Sequence, residues 1–400
     1  MKFYCLYDLI DFKRIELGQT ENEMFAFFRK NKIKKADLLF FKDNCAIELA
    51  EGILPYVEEY TGLSRLEILL AVGIVPEKYK NSFFENIHSI STILENGLKE
   101  PRISQNKLQP FFTTQLGTLF NGDCLEVLAS IPDCSVDTVF ADPPFNLSKV
   151  YDEGINDSLS MTAYTEWCFK WIEECIRVLK PGGALFIYNI PKWTTTFSEF
   201  LNKRLTLRSL IAVDMKSSLP INGRLYPAHY GLLYYIKGTA PKTFNNQRMP
   251  LQTCRHCGGE IKDYGGYKNK MNPLGVNVSD IWTDIYPVRH KNQKNRDYNE
   301  LSIKMLDRII SMTTKEGDVV FDPFGGSGTT YVVAEMLGRK WIGSELGNCQ
   351  IITNRFANIE KDRAILEKVY EEKDKLFPDN VKALRRKNGF WLSEDFEEQG

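Results

Sequence analysis

The 400 residues carry almost no net charge: 51 lysines and arginines face 52 aspartates and glutamates, leaving a formal -1. That balance excludes a protein that grips polyanions by bulk charge, while leaving room for a locally basic surface. Apolar runs long enough for a membrane helix, roughly 18 residues, are missing. The start, Met1-Lys-Phe-Tyr-Cys-Leu-Tyr-Asp8, lacks the positive stretch and apolar core of a secretory signal. A soluble, cytoplasmic protein with no membrane partner is therefore expected. The nine cysteines are odd in number and scattered, unlike a disulfide-stapled module, which points to a reducing compartment. Internal repeats and low-complexity tracts are also lacking. What the chain does have is 43% apolar and 12% aromatic residues, enough to fill two or three cores, and this excludes a disordered or fibrous chain.

Residues 1 to about 105 carry helical punctuation. Thr20-Glu-Asn-Glu23 and Ser64-Arg-Leu-Glu67 have the form of capping boxes, and Leu66, Leu69, Leu70 and Ile74 recur at helical spacing. A helical domain is predicted there. Its helix over residues 65–75 suits internal packing or partner docking better than base reading, and its purpose is not legible. A polar linker, residues 99–110, follows. From about 111 the pattern alternates short β-branched or aromatic runs with helical segments, as in strand-helix units of a mostly parallel sheet. Strands are predicted at Val136–Ala141, Ala184–Tyr188, Asp318–Phe321 and Lys340–Ser344. Helices are predicted over Ala163–Leu179, stopped by Lys180-Pro-Gly-Gly183, and over Gly328–Leu337. Residues 239–290, rich in Pro, Gly and Lys, read as an inserted recognition element. The stretch from Glu360 onward reads as a charged helix, a solvated face or packing arm.

Two motifs carry chemistry. In Phe321-Asp-Pro-Phe-Gly-Gly-Ser-Gly-Thr-Thr330 a strand runs into glycines and a helix begins just beyond, so backbone N–H groups can face a polar ligand. Glu345 ends the next strand, where a carboxylate can accept hydrogen bonds from two ribose hydroxyls, so an adenosine-containing cofactor is expected. The six-residue glycine pattern of nicotinamide enzymes and the lysine of a phosphate loop are both absent. The second motif, Ala141-Asp-Pro-Pro-Phe-Asn146, closes a strand with two prolines that fix the backbone. An exocyclic amine fits it: one N–H to Asp142, the other to the Pro143 carbonyl, and the ring stacked on Phe145.

Together these motifs resemble the S-adenosylmethionine-dependent amino-methyltransferases of DNA, specifically the permuted class in which the Asp-Pro-Pro-aromatic motif precedes the glycine loop. The resemblance spans residues 115 to 360. It implies a Rossmann-like α/β sheet, mostly parallel with helices on both faces and circularly permuted motif order, carrying the helical N-terminal domain and the inserted segment. It implies that Asp142, Pro143, Pro144 and Phe145 form the catalytic loop. Asp322, Phe324, Gly326, Ser327, Gly328, Thr329 and Thr330 correspond to the cofactor loop, Glu345 to the ribose-binding acid, and Asp123 to an acid near the cofactor's adenine. His290-Lys-Asn-Gln-Lys-Asn295 partly matches a family element covering the methionine end, which offers Lys294, but it lacks both prolines of that element.

The implied reaction is methylation of adenine N6 in duplex DNA after base flipping, as the modification half of a restriction-modification pair with a cognate endonuclease. No nucleophilic cysteine is required. Cytosine N4 is the nearest alternative, although members of that kind usually carry Ser at the position of Asp142. A catalytically silent DNA-binding regulator is the alternative from another class. Residues 237–296 hold eleven basic and four acidic residues, with Tyr264 and Tyr267 interleaved, as in a segment that lies along phosphates. Cys254-Arg-His-Cys257 has the spacing of half a zinc ribbon. With no second cysteine pair in the next 30 or so residues, no metal is expected, and the two thiols read as ordinary or as a ribbon remnant.

Overall fold

The computed structural model describes residues 5–43, 52–74, 108–147, 159–215, 225–254, 256–259, 274–286, 300–372 and 375–395, with isolated positions between these stretches. The chain divides into two units, residues 1–105 with 146–170, and residues 106–145 with 171–400.

The first unit holds helices α1 (Leu6–Glu16), α2 (Glu21–Lys30), α3 (Lys35–Asp43), α4 (Leu54–Thr61) and α5 (Arg65–Ala71). Both capping boxes form. The Glu23 amide donates to Thr20 Oγ1 (3.3 Å) while the Thr20 amide donates to the Glu23 carboxylate (2.7 Å), and Ser64 and Glu67 repeat the exchange. The helices bury Leu6, Leu9, Ile10, Met24, Phe28, Leu38, Val57 and Ile68 in one core.

The second unit is built on a nine-stranded sheet. Its strands are β1 (Phe112–Thr113), β2 (Gly117–Asn121), β3 (Val136–Ala141), β4 (Leu179–Asn189), β5 (Thr206–Asp214), β6 (His229–Ile236), β9 (Ile281–Trp282), β10 (Val319–Asp322) and β11 (Lys340–Glu345); β7 (Arg248–Met249) and β8 (Val276–Asn277) pair separately. The order is β1-β2-β11-β10-β3-β4-β6-β5-β9. From β2 to β4 every neighbour is parallel, whereas β6 runs antiparallel to β4 and β5. All six residues of β3 are buried, as expected of a strand covered on both faces. The remaining helices are α6 (Cys124–Ser130), α7 (Met161–Val178), α8 (Pro191–Leu201), α9 (Ile303–Thr313), α10 (Thr329–Met336), α11 (Gln350–Ala357), α12 (Ile359–Glu372) and α13 (Asp379–Lys387). This is the expected mostly parallel α/β architecture. After β10 the chain crosses through α10 to β11 on one side, and after β3 it crosses through α7 to β4 on the other. The C-terminal ends of β3 and β10 therefore flank the topological switch point, where open α/β sheets form their crevice.

The structure sharpens three parts of the sequence reading. Helix α7 ends at Val178, one residue short of the predicted end, but Lys180-Pro-Gly-Gly183 then lies inside β4 rather than ahead of it, where Gly182 at φ +75 exchanges backbone hydrogen bonds with Lys237 and Lys242. Strands β5 and β6 lie outside the predicted strands: β6 because the continuous apolar run of a buried strand has no distinguishing period, and β5 because its first five residues are largely exposed and show no alternation. Of the two readings of the segment beyond residue 360, the packing arm holds over the solvated face: Leu366 of α12 enters the main core, and Leu376, Phe377 and Leu392 form a separate cluster with Leu251 and Ile261 of the inserted element.

The edge of the sheet opposite the crevice is tied by one carboxylate. Asp137 is 2% exposed and accepts from Lys180 Nζ (2.6 Å), Lys242 Nζ (2.6 Å) and the Val319 amide (2.9 Å), joining β3, β4 and β10. Burial opposes its ionisation, but these hydrogen bonds prevail and hold its carboxyl below the usual range. A depressed folded value adds stability that is complete above the unfolded value of about 4 and fades as pH falls through the folded one. Asp137→Asn should therefore cost about 2 kcal/mol at neutral pH, and should flatten the acid limb of a stability-pH curve below about pH 4, measured by urea unfolding.

Candidate active site

The first motif leaves the end of β3. Pro143 is buried, while Asp142, Pro144 and Phe145 are half-buried. The loop is pinned from outside, because Trp193 Nε1, on α8, donates to the Phe145 carbonyl at 2.8 Å. The Phe145 ring sits in an aromatic cluster with Tyr188 and Tyr230, whose ring centroids lie 6.4 and 5.8 Å away, and these two tyrosines are 5.0 Å apart. Burial, and then the neighbouring Asp142 charge, pushes both phenols upward, so each remains a protonated hydroxyl beside that carboxylate. Neither tyrosine was anticipated from sequence. Tyr188 could have been, as the aromatic ending the strand adjacent to the Asp-Pro-Pro loop; Tyr230 lies in a strand that was not read.

The second motif leaves the end of β10, the strand paired with β3 through Val320–Thr138 and Phe321–Val139. Its residues fall into two sets. Phe324 and Gly326 are part-exposed, whereas Asp322, Ser327, Thr329 and Thr330 are at most 3% exposed and engage one another. Asp322 accepts from the Phe324 amide (2.9 Å) and from Thr330 Oγ1 (2.5 Å). Burial pushes the Asp322 carboxyl well above the carboxylate range, and the charges of Asp142 and Glu345 push it the same way. Gly328, at φ +78, caps α10, and a side chain there would meet Ile352 at 2.8 Å.

Glu345 ends β11, adjacent to β10. Its carboxylate accepts the Gly326 amide on Oε2 (2.6 Å) and the Gly347 amide on Oε1 (2.7 Å). Each oxygen thus keeps lone-pair capacity for a further donor. The Gly122 amide donates to the Glu345 carbonyl (3.1 Å), bringing the start of α6 alongside, where Asp123 caps the helix by accepting the Leu125 amide at 2.7 Å. The ends of β2, β11, β10 and β3 therefore gather Asp123, Glu345, the glycine loop and Asp142 along one edge of the sheet. Lys294 and His290 lie outside the described residues.

Arg355, on α11, went unnoticed in the sequence because a lone arginine in a helix carries no motif. It is 3% exposed and donates from Nη1 to the Ser327 carbonyl (3.1 Å), Ser327 Oγ (3.2 Å) and Thr329 Oγ1 (2.7 Å). Asp362 receives its Nε (2.7 Å) and Nη2 (3.2 Å), and Glu300 lies 3.2 Å from Nη1. One guanidinium thus fixes the back of the glycine loop.

Cys254 and Cys257 lie in the inserted element. The Gly259 amide donates to Cys257 Sγ at 3.3 Å, and the turn is held by Arg385 of α13, which donates to the carbonyls of Gly258 and Gly259. Among the described residues no group of three or more His, Cys, Asp or Glu could hold a metal ion, and no helix is long and apolar enough to cross a membrane.

Comparison with known proteins gives consistent matches. A family model for DNA methylases aligns with residues 136–354. The chain is 57% identical over 401 residues to the Type II methyltransferase M.BamHI of Bacillus amyloliquefaciens, covering 100% of this chain and 95% of that protein. It is 32% identical over 245 residues to the DNA adenine methyltransferase YhdJ of Escherichia coli K12, covering 59% and 81% respectively. The solved PvuII DNA methyltransferase (cytosine-N4-specific) aligns with a TM-score of 0.46 at 20% identity, covering 66% of this chain and 96% of that one.

Arg355→Met leaves Glu300 and Asp362 buried without their counter-charge and should destabilise the protein by about 3–5 kcal/mol. Arg355→Lys keeps the charge but not the fork and should recover only part of that loss. Thermal unfolding measures both.

Proposed function

The chain belongs to the DNA methylase family, and from that membership we propose that it transfers a methyl group from S-adenosylmethionine to an exocyclic amine of a base turned out of duplex DNA. The observation that carries this reading is the convergence, at the ends of the paired strands β3 and β10, of the Asp-Pro-Pro-Phe loop and a glycine loop flanked by Glu345.

The donor set suits the cofactor. Glu345 is held by two backbone amides and keeps one acceptor direction per oxygen, which matches the two hydroxyls of a ribose. Phe324 and Gly326 offer the accessible face of the loop. Asp322, Ser327, Thr329 and Thr330 act from beneath, holding the loop's shape rather than reaching outward. Gly328 gives the loop the left-handed turn by which α10 begins, and Asp123 lies beside Glu345 at the adenine side. Lys294 is assigned to the methionine end on its motif alone. When bound, the cofactor supplies an activated methyl on a sulfonium.

The chain's own residues then prepare the acceptor. Asp142 and the Pro143 carbonyl would each accept one N–H of the amine, drawing the ring-conjugated nitrogen toward a tetrahedral form whose lone pair attacks the methyl. As the N–C bond forms the C–S bond breaks, its electron pair staying on sulfur as a thioether, and the surplus amine proton passes to Asp142 and on to water. Pro143 and Pro144 keep that loop from adjusting. Phe145, backed by Tyr188 and Tyr230, offers a face on which the extruded ring stacks, while the Trp193 hydrogen bond keeps the loop from swinging away. Asp142 favours adenine N6 as the acceptor, although the same carboxylate and carbonyl serve cytosine N4. We assign residues 239–290 to target recognition, with the C-terminal segment 375–395 as their support, and residues 1–105 to a separate module. A cognate restriction endonuclease fits a chain with this relative, which is called a Type II methyltransferase.

Asp142→Ala and Phe145→Ala should each lower labelled methyl transfer to DNA at least about 100-fold while leaving cofactor affinity within about threefold. Glu345→Ala should do the reverse, weakening cofactor binding by about tenfold or more. Undiminished transfer by Asp142→Ala would reject the site. Nucleoside analysis of the modified DNA decides between N6-methyladenine and N4-methylcytosine, and long-read sequencing reports the site.

A further inference from the structure

The first unit carries a concentration of charge that its own fold uses only in part. Between residues 29 and 35 stand Arg29, Lys30, Lys32, Lys34 and Lys35, with no acidic residue among them. All five are exposed, and among the described residues none forms an ion pair. The acids of α2 lie at its other end, where Glu21 and Glu23 occupy the first turn, so the helix is polarised along its length.

Helix stability accounts for half of this cluster. Arg29 and Lys30 complement the C-terminal end of α2, but Lys34 and Lys35 stand at the N-terminal end of α3, where positive charge opposes the helix dipole. Asp37, in the first turn of α3, accepts the Lys34 amide at 3.1 Å and offsets part of this, but one carboxylate beside five like charges within seven residues leaves a net repulsion that an external anion would relieve.

The geometry is concave. Lys32 takes a left-handed conformation, φ +64, in the turn between the helices, and Arg29, Lys32, Lys34 and Lys35 line a recess of about 330 Å³ floored by Phe25 and Ile33. Lys35 Nζ sits 4.4 Å over the Phe25 ring, which fixes one cation of the rim. Such a recess presents several cationic donors to phosphate oxygens and has no Asn, Gln or acidic side chain in its lining, a profile that suits a backbone contact.

We propose that this corner binds the sugar-phosphate backbone of the DNA substrate, giving the helical unit a role in holding DNA that is independent of sequence reading. The inference rests on the DNA methylation proposed above. Because the chain as a whole is neutral, affinity for a polyanion has to come from local clusters such as this one.

The test is a salt series of equilibrium binding to a labelled duplex, using full-length wild type and a variant with Arg29, Lys30, Lys32, Lys34 and Lys35 all replaced by alanine. Each lost phosphate contact removes about 0.9 from the slope of log affinity against log salt concentration. The slope should become shallower by about 2–4. KM for DNA should rise about tenfold or more, while kcat at saturating DNA and cofactor affinity stay unchanged. A milder variant, Lys32→Ala with Lys34→Ala, should show about half the change in slope, and replacing the four lysines by arginine should preserve it. An unchanged slope and KM in alanine variants that unfold at the wild-type temperature would overturn the proposal. Wild type that transfers no methyl to any duplex would instead overturn the proposed reaction, and its salt slope would still report on the corner.

Discussion

The parallel pairing of β3 with β10 is the constraint on which the candidate site depends. Asp142 and Asp322 are 180 residues apart in the chain, and nothing local brings them together. The ladder does so by setting Phe321 beside Val139, after which both strands end and both loops open on the same side. Because the crossovers from the two strands run in opposite directions, neither crossover helix passes between the loops. A one-residue slip would reverse which side chains face each layer, and the completely buried β3 has no tolerance for it. The Asp137 tie among β3, β4 and β10 at the far edge fixes that register where the strands begin.

The loops at the near edge are held by polar side chains turned inward. Asp322 receives donors from its own loop, Arg355 reaches the loop from α11 while neutralised by Asp362 and Glu300, and Trp193 holds the loop after β3. These contacts order the backbone before any ligand arrives, so little conformational entropy is left to lose on binding. They also explain why hydroxyl residues of a glycine-rich motif need not touch what the loop binds. Ser327 and Thr329 spend their oxygens on Arg355, which leaves the backbone of Gly326 and the side chain of Phe324 at the open face.

Legibility followed how local each signal was. The strands Val136–Ala141 and Lys340–Glu345, the capping boxes of α2 and α5, and the two loops are written in contiguous residues with a period or a backbone requirement, and they could be read directly. Strand β6 could not, since a buried strand and a buried helix share an unbroken apolar run. Lys180-Pro-Gly-Gly183 misled because its turn chemistry is real, yet the bonds of Gly182 are made to residues about sixty positions away. Arg355 and Tyr230 meet the two loops from positions about 26 and 85 residues away, and no spacing rule marks them, whereas Tyr188 is marked only by ending the strand next to the Asp-Pro-Pro loop. The inserted element shows the same limit, since its turn at Gly258 and Gly259 is completed by Arg385, more than 120 residues later.

The neutral total charge conceals a division of labour. Acidic groups gather at the crevice, where Asp142, Glu345 and Asp123 end strands or begin helices and burial pushes the Asp322 carboxyl upward. Basic residues concentrate elsewhere, in the inserted element and at the α2–α3 corner. For a family that acts on DNA this arrangement has a physical logic. A pocket lined by carboxylates repels phosphate but accepts N–H donors, so the backbone is discouraged from entering while an amine is welcomed. Attraction for the backbone must then come from other groups, cations whose influence extends about 8–10 Å at physiological salt. A uniformly basic surface would bind DNA more tightly, yet it would weaken the preference of the pocket for an amine over a phosphate. Keeping the two signs apart along a near-neutral chain lets affinity and chemical selectivity be set independently.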